Sequence, residues 1–185
     1  SSSVGSHVYE AAAEDQKRVQ TEMGGKNPTV VTDSADVAEA VEIVGSGAFG
    51  VTGQACTACS RAIVYESVLE EFVGGIVDHA ESLSVGPGLE GYGMGPQVSA
   101  GELEGTLEYV EIGQDEGATL RTGGGEPTGD RFENGHFVEP TVFTDVAPDM
   151  TIAQEEIFGP VLSVIPVSGY EEAIEVANDV RQGLS

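Results

Sequence analysis

The chain has 185 residues, enough for one domain or one domain and a small lobe, and 39 % of them are apolar, which is enough to build a core. Thirty-two acids face seven bases, a formal charge of −25, so there is no basic patch with which to hold nucleic acid. No run of about 18 apolar residues could span a membrane, and the opening SSSVGSHVYE has neither the basic nor the apolar stretch of a signal peptide. These readings predict a cytoplasmic protein with neither nucleic acid nor membrane as partner.

In chain order, residues 6–16 read as a helix and PTVV, 28–31, as a short buried strand. Asp33 to Asp36 then cap a helix with Val37, Val41 and Val44 on one face. RAIVY, 61–65, is a second strand. Ser67 caps a helix whose apolar positions Val68, Leu69, Phe72, Val73, Ile76 and Val77 follow the helical period. A Gly/Pro-rich loop covers 85–99. Ser99 with Glu102 has the spacing of a capping box, opening a helix through Leu103, Leu107 and Val110. Residues 118–124 are a strand and turn, 135–146 are extended, and 159–167 is a near-continuous apolar run suited to a central parallel strand. A last helix covers 170–179. Strands alternating with helices predict an α/β fold built on a parallel sheet.

The chemistry centres on GQACTACSR, 53–61, which holds both cysteines, Cys56 and Cys59, in a C-x-x-C spacing. Such a pair is compatible with a redox dithiol, part of a metal site, two buried inert thiols, or one nucleophile with a neighbour. A structural zinc site wants four nitrogen or sulfur ligands. There is no second C-x-x-C, and His7, His79 and His136 lie far apart in sequence, so no metal is expected. The Thr57-Ala58 centre lacks the aromatic or Pro that a thioredoxin-like pair favours. Gly50, Gly53 and Ala55 are small enough for a substrate to approach the backbone closely, with amides beyond Cys56 to host an oxyanion. Upstream, Glu22 precedes a Gly-Gly turn. It is either a solvated acid or, in a cleft, a candidate general base. Downstream, AQEEIFGPV at 153–161 is at least a turn into the apolar strand.

In this order the three stretches resemble the aldehyde dehydrogenase superfamily, and the resemblance runs from residue 1 to 185. The acid before Met-Gly-Gly-Lys-x-Pro is Glu22-Met23-Gly24-Gly25-Lys26-Asn27-Pro28. Gly-Gln-x-Cys is Gly53-Gln54-Ala55-Cys56, with Glu22 and Cys56 34 positions apart, as in the family. E-x-F-G-P is Glu156 to Pro160, and the opening SSSVG is similar to the tail of the family's phosphate loop, with Ser1 and Gly5 remaining.

The resemblance implies a Rossmann-like, parallel-sheet α/β catalytic domain, present in part. Residues 1–20 would be a remnant of the cofactor-binding domain and 21–185 a catalytic domain incomplete at its C-terminal end. Both ends look cut from something longer, so the isolated chain is not expected to catalyse. The implied reaction is oxidation of an aldehyde to a carboxylic acid with NAD or NADP. Cys56 would be the nucleophile that forms the thioester, and Glu22 the base that activates water to hydrolyse it. Glu156, Phe158, Ser1 and Gly24 would bind the cofactor. Lys26 would support the Glu22 turn, Cys59 would be a small buried substitute, and Arg61 a packing residue. Positions 57–61 resemble the branch acting on α-ketoglutaric semialdehyde (2,5-dioxopentanoate), an intermediate of pentose sugar-acid breakdown. The parent is expected to be a homo-oligomer, dimer or tetramer. The scattered acids, with two Lys against five Arg, further predict adaptation to a salty cytoplasm.

Overall fold

A computed structural model describes residues 2–184. Helix α1 (Ser2–Glu14) leads through an irregular stretch to β1 (Asn27–Val31). Helix α2 (Val37–Phe49), β2 (Cys59–Tyr65) and α3 (Leu69–Ser82) follow. Beyond a long loop come α4 (Ala100–Asp115), β3 (Thr119–Thr122), β4 (Thr141–Thr144), the short α5 (Thr151–Gln154), β5 (Val161–Val167) and α6 (Tyr170–Asn178). Ser1, expected near the cofactor, lies outside the described residues.

The five strands form one sheet in the order β1-β2-β5-β4-β3. The pairs β1–β2, β2–β5 and β4–β5 are parallel. The sheet is thus built on parallel strands, as expected, and the edge strand β3 alone runs antiparallel, to β4. Its connection to β4 holds one three-residue 3-10 turn, Asp130–Phe132, and no α-helix, so it is not the helical crossover that usually joins parallel strands.

The predicted apolar run is the central strand, and its alternation decides where the core goes. Leu162 and Val164 of β5, with Ala62 and Val64 of β2, pack against α2 and α3 through Val44, Phe49, Phe72 and Ile76. Ile63 of β2 and Val161, Ile165 and Val167 of β5 face the other way, against Val110, Ile152 and Val176 of α4, α5 and α6. A strand covered on both faces has no solvated side, hence its near-continuous apolar sequence, interrupted only by the buried Ser163 and by Pro166. Among the described residues no helix is long and apolar enough to cross a membrane.

Several boundaries differ from the sequence reading. Helix α1 begins four residues before the predicted start and ends before Gln16, whose φ of 55° is left-handed. Within the predicted capping stretch Asp33 to Asp36, it is Asp36 that caps α2, accepting from the Glu39 amide at 3.1 Å. Ser67 caps nothing. The Val68 N–H bonds to the Tyr65 carbonyl in a turn, and α3 starts one residue later without a side-chain cap. Ser99 does cap α4, accepting from the Glu102 amide at 3.3 Å. The buried stripe of α4 is Leu103, Thr106, Val110 and Gly113, leaving Leu107 half-buried. Of the extended run 135–146, only Thr141–Thr144 pairs as strand.

Candidate active site

The segment carrying Cys56 leaves α2 through a tight 3-10 turn, Gly50–Gly53, in which Val51, Thr52 and Gly53 have φ of 52°, 59° and 66°. Three left-handed residues in a row are costly for L-amino acids, and surrounding contacts hold them. Thr52 is buried and donates to the Gly95 carbonyl at 3.1 Å. A Cβ on Gly53 would overlap the Gly159 carbonyl, so this residue must be glycine for the segment to dock on the entry to β5. Gln54 donates to the Pro96 carbonyl at 3.2 Å and accepts from the Val98 amide at 2.8 Å, which ties the segment to the loop before α4. A turn then closes from the Ala58 amide to the Ala55 carbonyl at 2.9 Å. Cys56 stands on this turn, exposed.

The segment containing Glu22 approaches from the other side. Glu22 is exposed, and its carboxylate accepts from the Gln20 side chain at 2.7 Å. Gly24 gives its space to Glu156, because a Cβ there would overlap the Glu156 carboxylate. That carboxylate accepts from the Gly25 amide at 3.3 Å and is only half-buried. Phe158, two residues on, is held at a φ of 57°, an outlier for an aromatic residue. Glu22, Met23, Gly24, Cys56, Glu102, Glu156 and Phe158 line one cleft of about 410 Å³. Every described residue singled out for catalysis or cofactor binding is therefore at this cleft. Glu102 is the lining residue that sequence reasoning missed; its spacing from Ser99 marked it only as part of a cap.

The neighbours divide sharply by burial. Cys59 is buried, with its Sγ 3.2 Å from the Thr29 hydroxyl and 3.6 Å from the Arg61 carbonyl. Burial pushes its thiol pKa up, against the smaller opposing effect of the Thr29 hydrogen bond. Arg61 is buried and donates to the Lys26 carbonyl at 3.0 Å and to the Val176 and Ala177 carbonyls at 2.9 Å each. It satisfies orphan carbonyls in the last turn of α6 and does not line the cleft that holds Cys56. His79 stacks on Phe49 and lies 3.5 Å from Glu42, between α2 and α3. Among the described residues no three His, Cys, Asp or Glu side chains converge as metal ligands.

Known proteins resemble the chain along its whole length. The chain is 64 % identical over 185 residues to an alpha-ketoglutarate semialdehyde dehydrogenase of Haloferax volcanii, covering all of this chain and 38 % of that protein. It is 45 % identical over 186 residues to an alpha-ketoglutaric semialdehyde dehydrogenase of Bacillus subtilis, again with 38 % of the relative covered. A crystal structure of betaine aldehyde dehydrogenase from Staphylococcus aureus in complex with NAD+ superposes with a TM-score of 0.96 at 36 % identity, over 98 % of this chain and 36 % of that one. The chain thus spans well under half the length of these relatives. Residues 1–185 match the aldehyde dehydrogenase family throughout, and the chain belongs to that family.

Proposed function

We propose that the intact protein oxidises an aldehyde to a carboxylic acid through a thioester on Cys56, with NAD or NADP as cofactor and 2,5-dioxopentanoate as substrate. The observation that carries this reading is the convergence of Cys56, Glu22, Glu156 and Phe158 on one cleft. The substrate rests on the names of the relatives at 64 % and 45 % identity. Residues 1–20 then belong with the cofactor-binding unit and 21–185 with the catalytic unit.

The described residues fit a dinucleotide. The Glu156 carboxylate, seated over the bare Gly24 backbone, has acceptor capacity left for the hydroxyls of a ribose, and Phe158 offers an aromatic face beside it. When bound, the cofactor supplies the hydride acceptor. The Cys56 thiolate adds to the aldehyde carbon, and the carbonyl oxygen takes up negative charge. The Cys56 amide makes no backbone hydrogen bond among the described residues and is available to that oxyanion. With the hydride taken up by that acceptor, the acyl group would remain on the Cys56 Sγ as a thioester. Glu22 then takes a proton from water, the hydroxide adds to the thioester carbon, and the thiolate leaves as the acid forms. A dithiol redox role is disfavoured, because Cys59 is buried and already hydrogen-bonded.

The test is an assay of the intact protein against semialdehydes and simple aldehydes with both cofactors. Highest kcat/KM on 2,5-dioxopentanoate, abolished by Cys56→Ser and kept by Cys59→Ser, is the expected result. Equal loss in both variants would restore the redox pair, and preference for another aldehyde would overturn the substrate.

A further inference from the structure

Asn27 is a buried polar residue to which the proposed reaction gives no part. It is the first residue of β1 and only 4 % exposed. It pairs with Cys59 in the ladder, and the register slips immediately after it, between Asn27 and Pro28. That irregularity sets its side chain under the turn bearing Cys56. Both Nδ2 protons are spent there, one on the Cys56 carbonyl at 2.8 Å and one on the Ala58 carbonyl at 3.0 Å.

We propose that Asn27 is the positioning residue of the nucleophile, its carboxamide holding the turn in the orientation from which Cys56 attacks. The inference rests on the reading of Cys56 as nucleophile. A trans peptide points its C=O and N–H in opposite directions. With the Cys56 carbonyl pinned to Asn27, the Thr57 amide faces away from β1. With the Ala55 carbonyl engaged by the Ala58 amide, the Cys56 amide faces out of the turn. The same hydrogen bonds therefore fix both the thiol's backbone and the amides beside it.

Two further observations point the same way. The Asn27 Oδ1 is buried and has no hydrogen-bond partner among the described residues. An unpaired buried acceptor is destabilising, so packing alone favours an apolar side chain here; what distinguishes Asn27 is its donation to the nucleophile turn. Gly25 keeps the gap open. A Cβ on it would lie 2.5 Å from the Asn27 Oδ1 and 3.0 Å from the Cys56 carbonyl oxygen. The Gly-Gly pair thus divides its work: Gly24 seats Glu156, and Gly25 lets Asn27 reach Cys56.

The experiment uses the intact protein carrying Asn27→Ala, Asn27→Asp or Asn27→Ser, with Cys56→Ser as control. Three quantities are read: the pre-steady-state burst of reduced cofactor, the rate of Cys56 alkylation by iodoacetamide across pH, and the cofactor KM. Displacing a reacting group by about 1 Å costs on the order of 100-fold. The burst should slow by about that factor in Asn27→Ala. It should slow more in Asn27→Asp, whose carboxylate cannot donate and faces two carbonyls. Alkylation should slow or its pH profile move, with cofactor KM changed by less than about two-fold, as a purely structural residue would not produce. Asn27→Ser, the mildest change, decides the matter if the others do not fold. Unchanged burst and alkylation in any folded variant would overturn the proposal. A burst that survives in Cys56→Ser would instead overturn the nucleophile assignment, while alkylation still reads the coupling of Asn27 to Cys56.

Discussion

Lys26 is 1 % exposed, and its ammonium has no hydrogen-bond partner among the described residues. Burial first, and the like charge of Arg61 second, bring its pKa from 10.5 down to about 7, against the pull of Glu156 and Glu155. A base whose folded pKa is depressed releases its proton on folding between those two values. Stability then rises with pH across that window, by up to about 1.4 kcal/mol per unit. Below about pH 7 the buried charge is carried in full and opposes folding. Lys26→Met should therefore raise Tm most at pH 6–7, and the gain should vanish by about pH 10; thermal melts across that range check it, and a pH-independent difference would refute it. At this scale the sequence was partly readable. Cys59 as a small buried residue and Arg61 as a packing residue both match their burial and bonds. Lys26 supports the neighbouring strand through its carbonyl, which accepts from Arg61, and its ammonium makes no bond to the Glu22 turn. The contacts of Asn27 and Gln54 were not readable, because their partners lie 29 to 44 residues away along the chain.

Among the elements, β5 was the most legible, since burial on both faces leaves a near-continuous apolar run and little ambiguity. Strand β3 was the least: four residues, none fully buried, say nothing of direction. The cap of α3 was misplaced because a backbone turn from Tyr65 to Val68 occupies the position a serine cap would need. The bend that presents Cys56 was visible only as a run of small residues. Its left-handed backbone comes from docking on Gly95, Pro96 and Gly159. Two substitutions there should have opposite signs. Gly53→Ala puts a Cβ into the Gly159 backbone at a φ of 66°, and should cost at least about 2 kcal/mol together with activity. Val51→Gly removes a β-branched, 77 % exposed side chain from a φ of 52°, and should stabilise by about 1 kcal/mol. Urea titrations of both variants read the difference directly.

For the whole molecule, the net charge of −25 is spread over a surface with few compensating cations. Among the described residues only Lys17–Asp15 and His79–Glu42 come within ion-pair distance. Self-repulsion of this size weakens as the screening length falls from about 10 Å at 0.1 M salt to about 3 Å at 1 M. We propose that the protein is adapted to high salt. Tm should rise markedly between 0.1 M and 2 M KCl, and a flat profile would exclude the adaptation. The fold class and the order of the three motifs were legible because each motif sits on an element boundary with glycine or proline beside it. Their meeting at one cleft depends on β1, β2 and β5 lying side by side, which no local signal encodes. The central claim is that Cys56 carries the acyl group and Glu22 releases it, and trapping that group tests it most directly. In the intact Glu22→Gln variant, incubated with aldehyde and cofactor, peptide mass mapping should find an acyl adduct accumulating on Cys56 and none on Cys59. An adduct on Cys59, or full turnover by this variant with Cys56 unmodified, would contradict it.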